Sequence, residues 1–126
     1  MEHSVRPQGW ARVYAAMRRE VTKDLRHGTW YAVVRDDQPD RLTLQVGDRT
    51  VTVPRRMLEI RGRRPTHFTV VSRFDLPPED RSSPGDLGKR YTVCPSCASR
   101  STLSGQPPAR ECPVCGHHGE VGWWES

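Results

Sequence analysis

Residues 91–125 read YTVCPSCASRSTLSGQPPARECPVCGHHGEVGWWE, and this stretch holds every cysteine of the chain. Cys94 and Cys97 lie in CPSC (94–97), Cys112 and Cys115 in CPVCG (112–116), and fourteen residues separate the two pairs. Two cysteines with two residues between them can offer both sulfurs to one ion from a single tight turn. The thiolate is a soft, charged ligand, and Zn²⁺ takes four such ligands in a tetrahedron. The residue after the second cysteine of such a turn is often glycine, because the chain bends back there and its amides point at the sulfurs. Gly116 has that position in the second pair, and Ala98 has it in the first. Pro95 and Pro113 stiffen each turn after its first ligand.

Other uses of paired cysteines fit less well. A thioredoxin-type dithiol needs one pair opening a helix after a strand, whereas here there are two pairs, each with proline after its first cysteine. An iron site of rubredoxin type uses similar knuckles, but with the pairs much further apart. Catalytic zinc keeps one position open for water; four cysteines close the site, which points to a structural metal. His117 and His118 follow the second knuckle directly; either could replace a cysteine as ligand, but they read better as turn residues facing solvent, since four thiolates already complete the shell.

With these residues in place, the segment 91–126 resembles a zinc ribbon, in which two knuckles at the tips of hairpins clamp one zinc ion. The resemblance implies Cys94, Cys97, Cys112 and Cys115 as the ligands of one structural Zn²⁺, with RYTV and EVGWW as flanking strands. Adjacent Trp123 and Trp124 in such a strand would point to opposite faces.

The remainder is short of apolar residues. The chain has 126 residues, 34% of them hydrophobic and 28% charged, with eleven prolines and ten glycines. That length suits one ordinary domain or two very small ones. The composition favours short strands and turns over a helical bundle. The formal net charge is +5, and Lys23 and Lys89 are the only lysines, so the positive charge is almost all arginine. Such a balance permits a polyanionic partner without demanding one. No apolar run approaches the 18 residues of a membrane span. The opening MEHSVRPQGW lacks a signal-peptide pattern. A cytoplasmic protein is expected, in which paired thiols stay reduced and available for metal.

Along the chain, Trp10, Val13, Tyr14, Met17, Val21 and Leu25 recur at spacings of three and four, which predicts an amphipathic helix over 9–27, ended by Gly28. From Thr29 the period becomes two. The segments 29–34, 41–46, 49–53, 57–60 and 67–72 read as strands, with a two-residue turn at Gly47-Asp48. Residues 75–90 carry three prolines, two glycines and only two leucines, and read as a linker. The expected order is therefore an N-terminal helix (1–28), a small β-barrel (29–74), a linker (75–90) and the zinc ribbon (91–126). The barrel segment is similar in strand lengths and turn placement to SH3-like barrels, with PRRM (54–57) as the short turn before a closing strand; a five-stranded OB-like barrel is the rival. The fold class is thus mainly β with one N-terminal helix.

The densest positive charge is Arg55, Arg56, Arg61, Arg63 and Arg64, within PRRMLEIRGRRP (54–65). Arginines at the ends of a rigid strand can grip phosphates at little ordering cost. The bland reading is a solvated rim, with the acidic stretch RDDQPD (35–40) able to pair with it. Trp30, Tyr31 and Phe68 could stack on bases, though each suits a core better. No Gly-rich phosphate loop and no catalytic constellation stands out. The reading is a non-enzymatic zinc-ribbon module that contacts nucleic acid or a nucleic-acid-handling complex. The alternative is a protein–protein adaptor with a structural zinc, and a thiol-redox enzyme is a distant third.

Overall fold

The computed structural model describes residues 8–14, 24–72 and 89–125. Its strands are β1 (Gly9–Val13), β2 (Tyr31–Gln38), β3 (Arg41–Val46), β4 (Arg49–Pro54), β5 (Leu58–Arg61), β6 (Thr69–Ser72), β7 (Arg90–Val93), β8 (Arg100–Thr102), β9 (Ala109–Glu111) and β10 (His118–Glu120), with 3₁₀ turns at Arg55–Met57 and Trp123–Glu125. No helix among the described residues is long and apolar enough to cross a membrane.

The first sheet has the order β4-β3-β2-β1-β5. The strands β2, β3 and β4 form a meander. β3 and β4 pair without a slip from Arg41↔Pro54 to Val46↔Arg49, which leaves Gly47-Asp48 as the two-residue turn. The β2–β3 register shifts twice, between Val33 and Arg35 and between Arg35 and Gln38. Such irregularities bend a strand and increase its twist. After β4 the 3₁₀ turn buries Met57, and β5 returns beside β1. Ala11, Val13, Leu25, Val33, Leu42, Leu44, Val53, Met57 and Leu58 form one buried cluster on the inner face. No pairing joins the edge strands β4 and β5 among the described residues, so the expected barrel is an open five-stranded sheet there.

The expected N-terminal helix is corrected at its start. Gly9–Val13 is a strand, bonded to β2 on one side and β5 on the other, and the described residues include no α-helix. Residues 15–23 lie outside the described residues. The misreading has a physical cause. Ala11 and Val13 enter the main core, while Arg12, on the opposite face, is also buried. A strand covered on both faces loses its polar alternation, and periodicity alone cannot separate it from a buried helix segment.

The strand expected at 67–72 does form as β6 but leaves the first sheet. It pairs with β7, which pairs with β8, in a three-stranded sheet of order β6-β7-β8. β9 and β10 make a separate hairpin. Arg90 is already in β7, and the rest of the expected linker, apart from Lys89, lies outside the described residues. The adjacent tryptophans are also corrected: Trp123 and Trp124 belong to a 3₁₀ turn rather than to a strand.

Where β1 faces the second sheet, polar groups meet. Arg12 donates from Nη2 to Glu59 Oε2 at 3.0 Å and to Glu125 Oε2 at 2.9 Å, and from Nη1 to Thr69 Oγ1 at 2.8 Å. Its guanidinium lies 4.5 Å from the Trp30 ring centroid. Glu125 also bonds His67 Nε2 at 2.9 Å. Burial pushes the Glu125 carboxyl up, but the hydrogen bonds from His67 and Arg12 outweigh it and bring the group to about 2 from an ordinary 4.5. Gly28 allows the close approach nearby: it has φ +83°, and a Cβ there would meet Val71 Cγ2 at 2.7 Å and Val93 Cγ2 at 2.9 Å.

A candidate metal centre and the arginines around it

Two turns of the same design bring the four cysteines together. In the first, Ala98 N donates to Cys94 O at 2.9 Å and Cys94 N donates to Ser99 O at 3.0 Å. In the second, Gly116 N donates to Cys112 O at 2.9 Å and Cys112 N donates to His117 O at 2.8 Å. Ser96 N points at Cys94 Sγ, and Val114 N at Cys112 Sγ, each at 3.4 Å. Both turns close on a left-handed residue, Ala98 at φ 65° and Gly116 at φ 80°. Ala98 is the one non-glycine residue with positive φ among the described residues, which fits a backbone fixed by the knuckle rather than by its own preference.

The four Sγ atoms lie within 4.8 Å of one another. Cys94 and Cys115 are 3.7 Å apart at sulfur, and Cys97 and Cys112 are 3.6 Å apart. These are too long for disulfide bonds. A tetrahedral ion with metal–sulfur bonds of about 2.3 Å sets sulfur–sulfur edges of roughly 3.8 Å, close to both distances. The donor set and its spacing therefore suit one metal ion. Cys94 and Cys112 are buried, Cys97 and Cys115 exposed. Burial pushes the Cys94 thiol up to about 12. At Cys112 burial acts the same way but is outweighed by hydrogen bonds from Ser99 and from the Cys115 and Val114 amides, which bring the thiol down to about 6. A cation is what would hold all four as thiolates, because thiolates are the metal-binding form and binding releases their protons.

Phe68, 1% exposed, packs with Cys94 and Cys112 in the small core beneath the centre. His117 is engaged elsewhere: its Nε2 donates to Thr66 O at 2.8 Å, and its ring lies 5.6 Å from that of Phe68. His118 is exposed in β10. Neither histidine is grouped with the four sulfurs.

The five arginines of 54–65 do not act alike. Arg55 pairs with Asp36 and donates from Nε to Pro39 O at 3.1 Å, so it ties the acidic β2–β3 turn down. Arg64 donates from Nε to Pro95 O at 3.1 Å and from Nη2 to Ser96 O at 2.8 Å, and its guanidinium sits 4.5 Å from the Trp10 ring centroid. Arg61 is half exposed, with Nη2 3.9 Å from Glu59 Oε2. Arg56 and Arg63 are exposed, with no ion pair among the described residues. Two of the five thus serve the fold, and three remain toward solvent.

The aromatic candidates for base stacking are inward. Trp30 and Phe68 are buried. Tyr31 is half-buried, its hydroxyl accepts from Arg26 N at 2.7 Å, and burial pushes that hydroxyl's pKa up. The exposed aromatic rings among the described residues are instead Tyr14 and Trp124; Trp124 is 62% exposed and lies 5.1 Å from the His67 ring. Trp123 donates from Nε1 to Pro107 O at 2.8 Å.

The group that sequence reasoning missed is Arg12 with Glu59, His67 and Glu125. The only signal that could have found it was a strand at 9–13, which would have put Arg12 on a face of its own. A cavity of about 100 Å³ borders this group, lined by Arg12, His27, Glu59, Thr69 and Glu125 among others. It is far below the several hundred cubic ångströms of a cofactor pocket. Compared with protein-family models, with curated proteins and with solved structures, the chain finds no match.

Proposed function

We propose that the chain is a non-enzymatic binding module of the zinc-ribbon type, in which Cys94, Cys97, Cys112 and Cys115 hold one structural Zn²⁺. The observation that carries this is the pair of matched knuckles with sulfur–sulfur distances near a tetrahedral edge. Zinc is favoured over iron by the short spacing between the pairs, and a closed four-thiolate shell leaves no open position for catalysis. Four free thiols are best kept in a reducing compartment, which supports a cytoplasmic protein. The first sheet reads as SH3-like: a meander, a 3₁₀ turn, then a strand returning beside the first.

The proposed partner is nucleic acid, or a complex that handles it, with Arg56, Arg61 and Arg63 as the phosphate contacts. Arg55 and Arg64 serve that face by shaping it. Four thiolates and one Zn²⁺ carry two negative charges together, so the formal charge falls from +5 to +3 while the charge near β5 is untouched. Three phosphate contacts give a slope of log affinity against log salt of about −2.7 on duplex DNA and roughly −2.1 on single strands. Arg61→Glu with Arg63→Glu should flatten that slope. A chain that shows no salt-dependent binding to DNA or RNA at low ionic strength sinks the nucleic-acid reading. The adaptor reading then takes over, and the exposed Trp124 and Val114 (72% exposed) favour it as apolar contact points. Elemental analysis decides the metal separately: one zinc per chain is expected, and iron or no metal refutes it.

A further inference from the structure

We propose that Arg64 ties the metal centre to the basic edge of the first sheet, so that metal occupancy sets the position of the end of β5 and the loop after it, which carry Arg61 and Arg63. The inference rests on the four-cysteine metal reading and is independent of what the arginines bind.

The two knuckles dock on one short connector, residues 64–68, between β5 and β6. Arg64 grips the first knuckle through two backbone carbonyls, Pro95 O and Ser96 O. These belong to the two residues between the ligands Cys94 and Cys97, so their orientation is set by how the turn wraps the ion. Thr66 O receives the His117 ring N–H from beyond the second knuckle. Phe68 fills the space under Cys94 and Cys112 and bonds Glu120 O through its amide at 2.8 Å. The same guanidinium of Arg64 lies over Trp10, and Trp10 is the register partner of Arg61 in the β1–β5 pair. A continuous path of contacts therefore runs from sulfur to knuckle carbonyls, to Arg64, to Trp10, and to the end of β5.

Two carbonyls in a fixed turn suit a planar guanidinium, whose donors are preset. If the knuckle loses its ion, the carbonyls lose their fixed separation and this fit is lost. Arg64 then has no reason to remain over Trp10. Among the described residues β5 is an edge strand with β1 as its sole partner in the sheet, so its last residues have little else there to hold them. The loop that follows, 62–64, is exposed. Arg64 is on this view a positioning residue: it places Arg61 and Arg63 and contacts no ligand itself.

The test is amide hydrogen exchange on the full chain, read by mass spectrometry over residues 58–64, in three samples: zinc-loaded wild type, chelator-treated wild type, and zinc-loaded Arg64→Ala. Chelation should speed exchange of this segment by about tenfold or more, since two charge-assisted hydrogen bonds are lost and one alone is worth about tenfold. Arg64→Ala should do the same with its zinc content unchanged, and chelating the variant should add little there. Arg64→Lys, which keeps the charge but not the planar fork, should fall between. The indole N–H resonance of Trp10, assigned by its loss in Trp10→Phe, should shift in parallel. Zinc present but exchange over 58–64 indifferent to chelation, or zinc-loaded Arg64→Ala matching wild type, overturns the proposal. A wild-type chain that holds no metal fails the metal reading instead, which elemental analysis shows before exchange is measured.

Discussion

Replacing Arg12 by methionine keeps most of the side chain's length and removes its charge and all its donors. Two carboxylates would then face each other across the gap. Arg12 has 7% side-chain exposure, against 22% for Glu59 and 15% for Glu125. Removing one partner of a buried ion group costs roughly 3–5 kcal/mol, because the remaining charge is left uncompensated. Glu59 and Glu125 keep some access to water, and His67 still bonds Glu125, so the low end applies, about 3 kcal/mol. For a chain of this size each kcal/mol moves Tm by roughly 3–5 °C, so Tm should fall on the order of 10 °C. The assay is urea or thermal unfolding followed by circular dichroism, at fixed zinc. Glu125→Gln and the double variant complete a cycle, and the Arg12–Glu125 coupling should exceed about 1 kcal/mol. The pH dependence supplies a second reading. The folded carboxyl of Glu125 titrates near 2, below its ordinary 4.5. Its contribution is therefore complete above about 4.5 and is lost as pH falls toward 2. Glu125→Gln should remove that part of the acid slope and leave the neutral-pH slope alone. A loss of less than about 1 kcal/mol for Arg12→Met, with additive behaviour in the cycle, would refute the idea that this ion group joins the two sheets.

Cys112→Ser should abolish stoichiometric zinc, as atomic absorption would show, and unfold the knuckles, since structural zinc contributes roughly 10–16 kcal/mol in finger peptides. Ala98→Gly should stabilise the metal-loaded chain by up to about 1 kcal/mol, because strain at positive φ is relieved against a smaller entropy cost. Gly116→Ala should cost about 1 kcal/mol or more for the converse reason, and equal effects of the two changes in denaturant titration would contradict the matched-knuckle geometry. Gly28→Val combines a forbidden φ with contacts below 3.0 Å to Val71 and Val93. It should lower stability by roughly 2–4 kcal/mol, and an unchanged unfolding midpoint would mean that the sheets do not meet there.

The four-cysteine cluster was almost wholly legible in the sequence, because a two-residue spacing is local and fixes the turn that brings each pair together. The hairpins of β2, β3 and β4 were legible for a similar reason: Leu42, Leu44, Val51 and Val53 alternate with residues that face water, and Gly47-Asp48 marks the turn. What the sequence hid depends on contacts between distant segments. Trp10 and Val13 have helical spacing, yet they sit on opposite faces of one strand because both faces of β1 are covered. Residues 67–72 carry a strand-like pattern, but such a pattern does not say which sheet a strand joins; Val71 packs with Tyr91 and Val93, and Phe68 with Cys94 and Cys112. The arginine cluster read as one patch because charge density was the only clue. Arg55 and Arg64 are engaged by an acid and by two carbonyls whose proximity no local pattern announces.

The hydrogen bonds between Arg12 and Glu125 span 113 residues of sequence. That span has a consequence for the order in which the chain can assemble. During synthesis β1 emerges early and can pair with β2 and β5 long before residue 125 exists. Through that interval the outer face of β1 carries a cation with only Glu59 to answer it, and the strand cannot be sealed from water. Contacts of such long range are closed late and slow the final step of folding. A nascent chain can therefore hold a paired first sheet with an open flank until Glu125 is made and docks on Arg12.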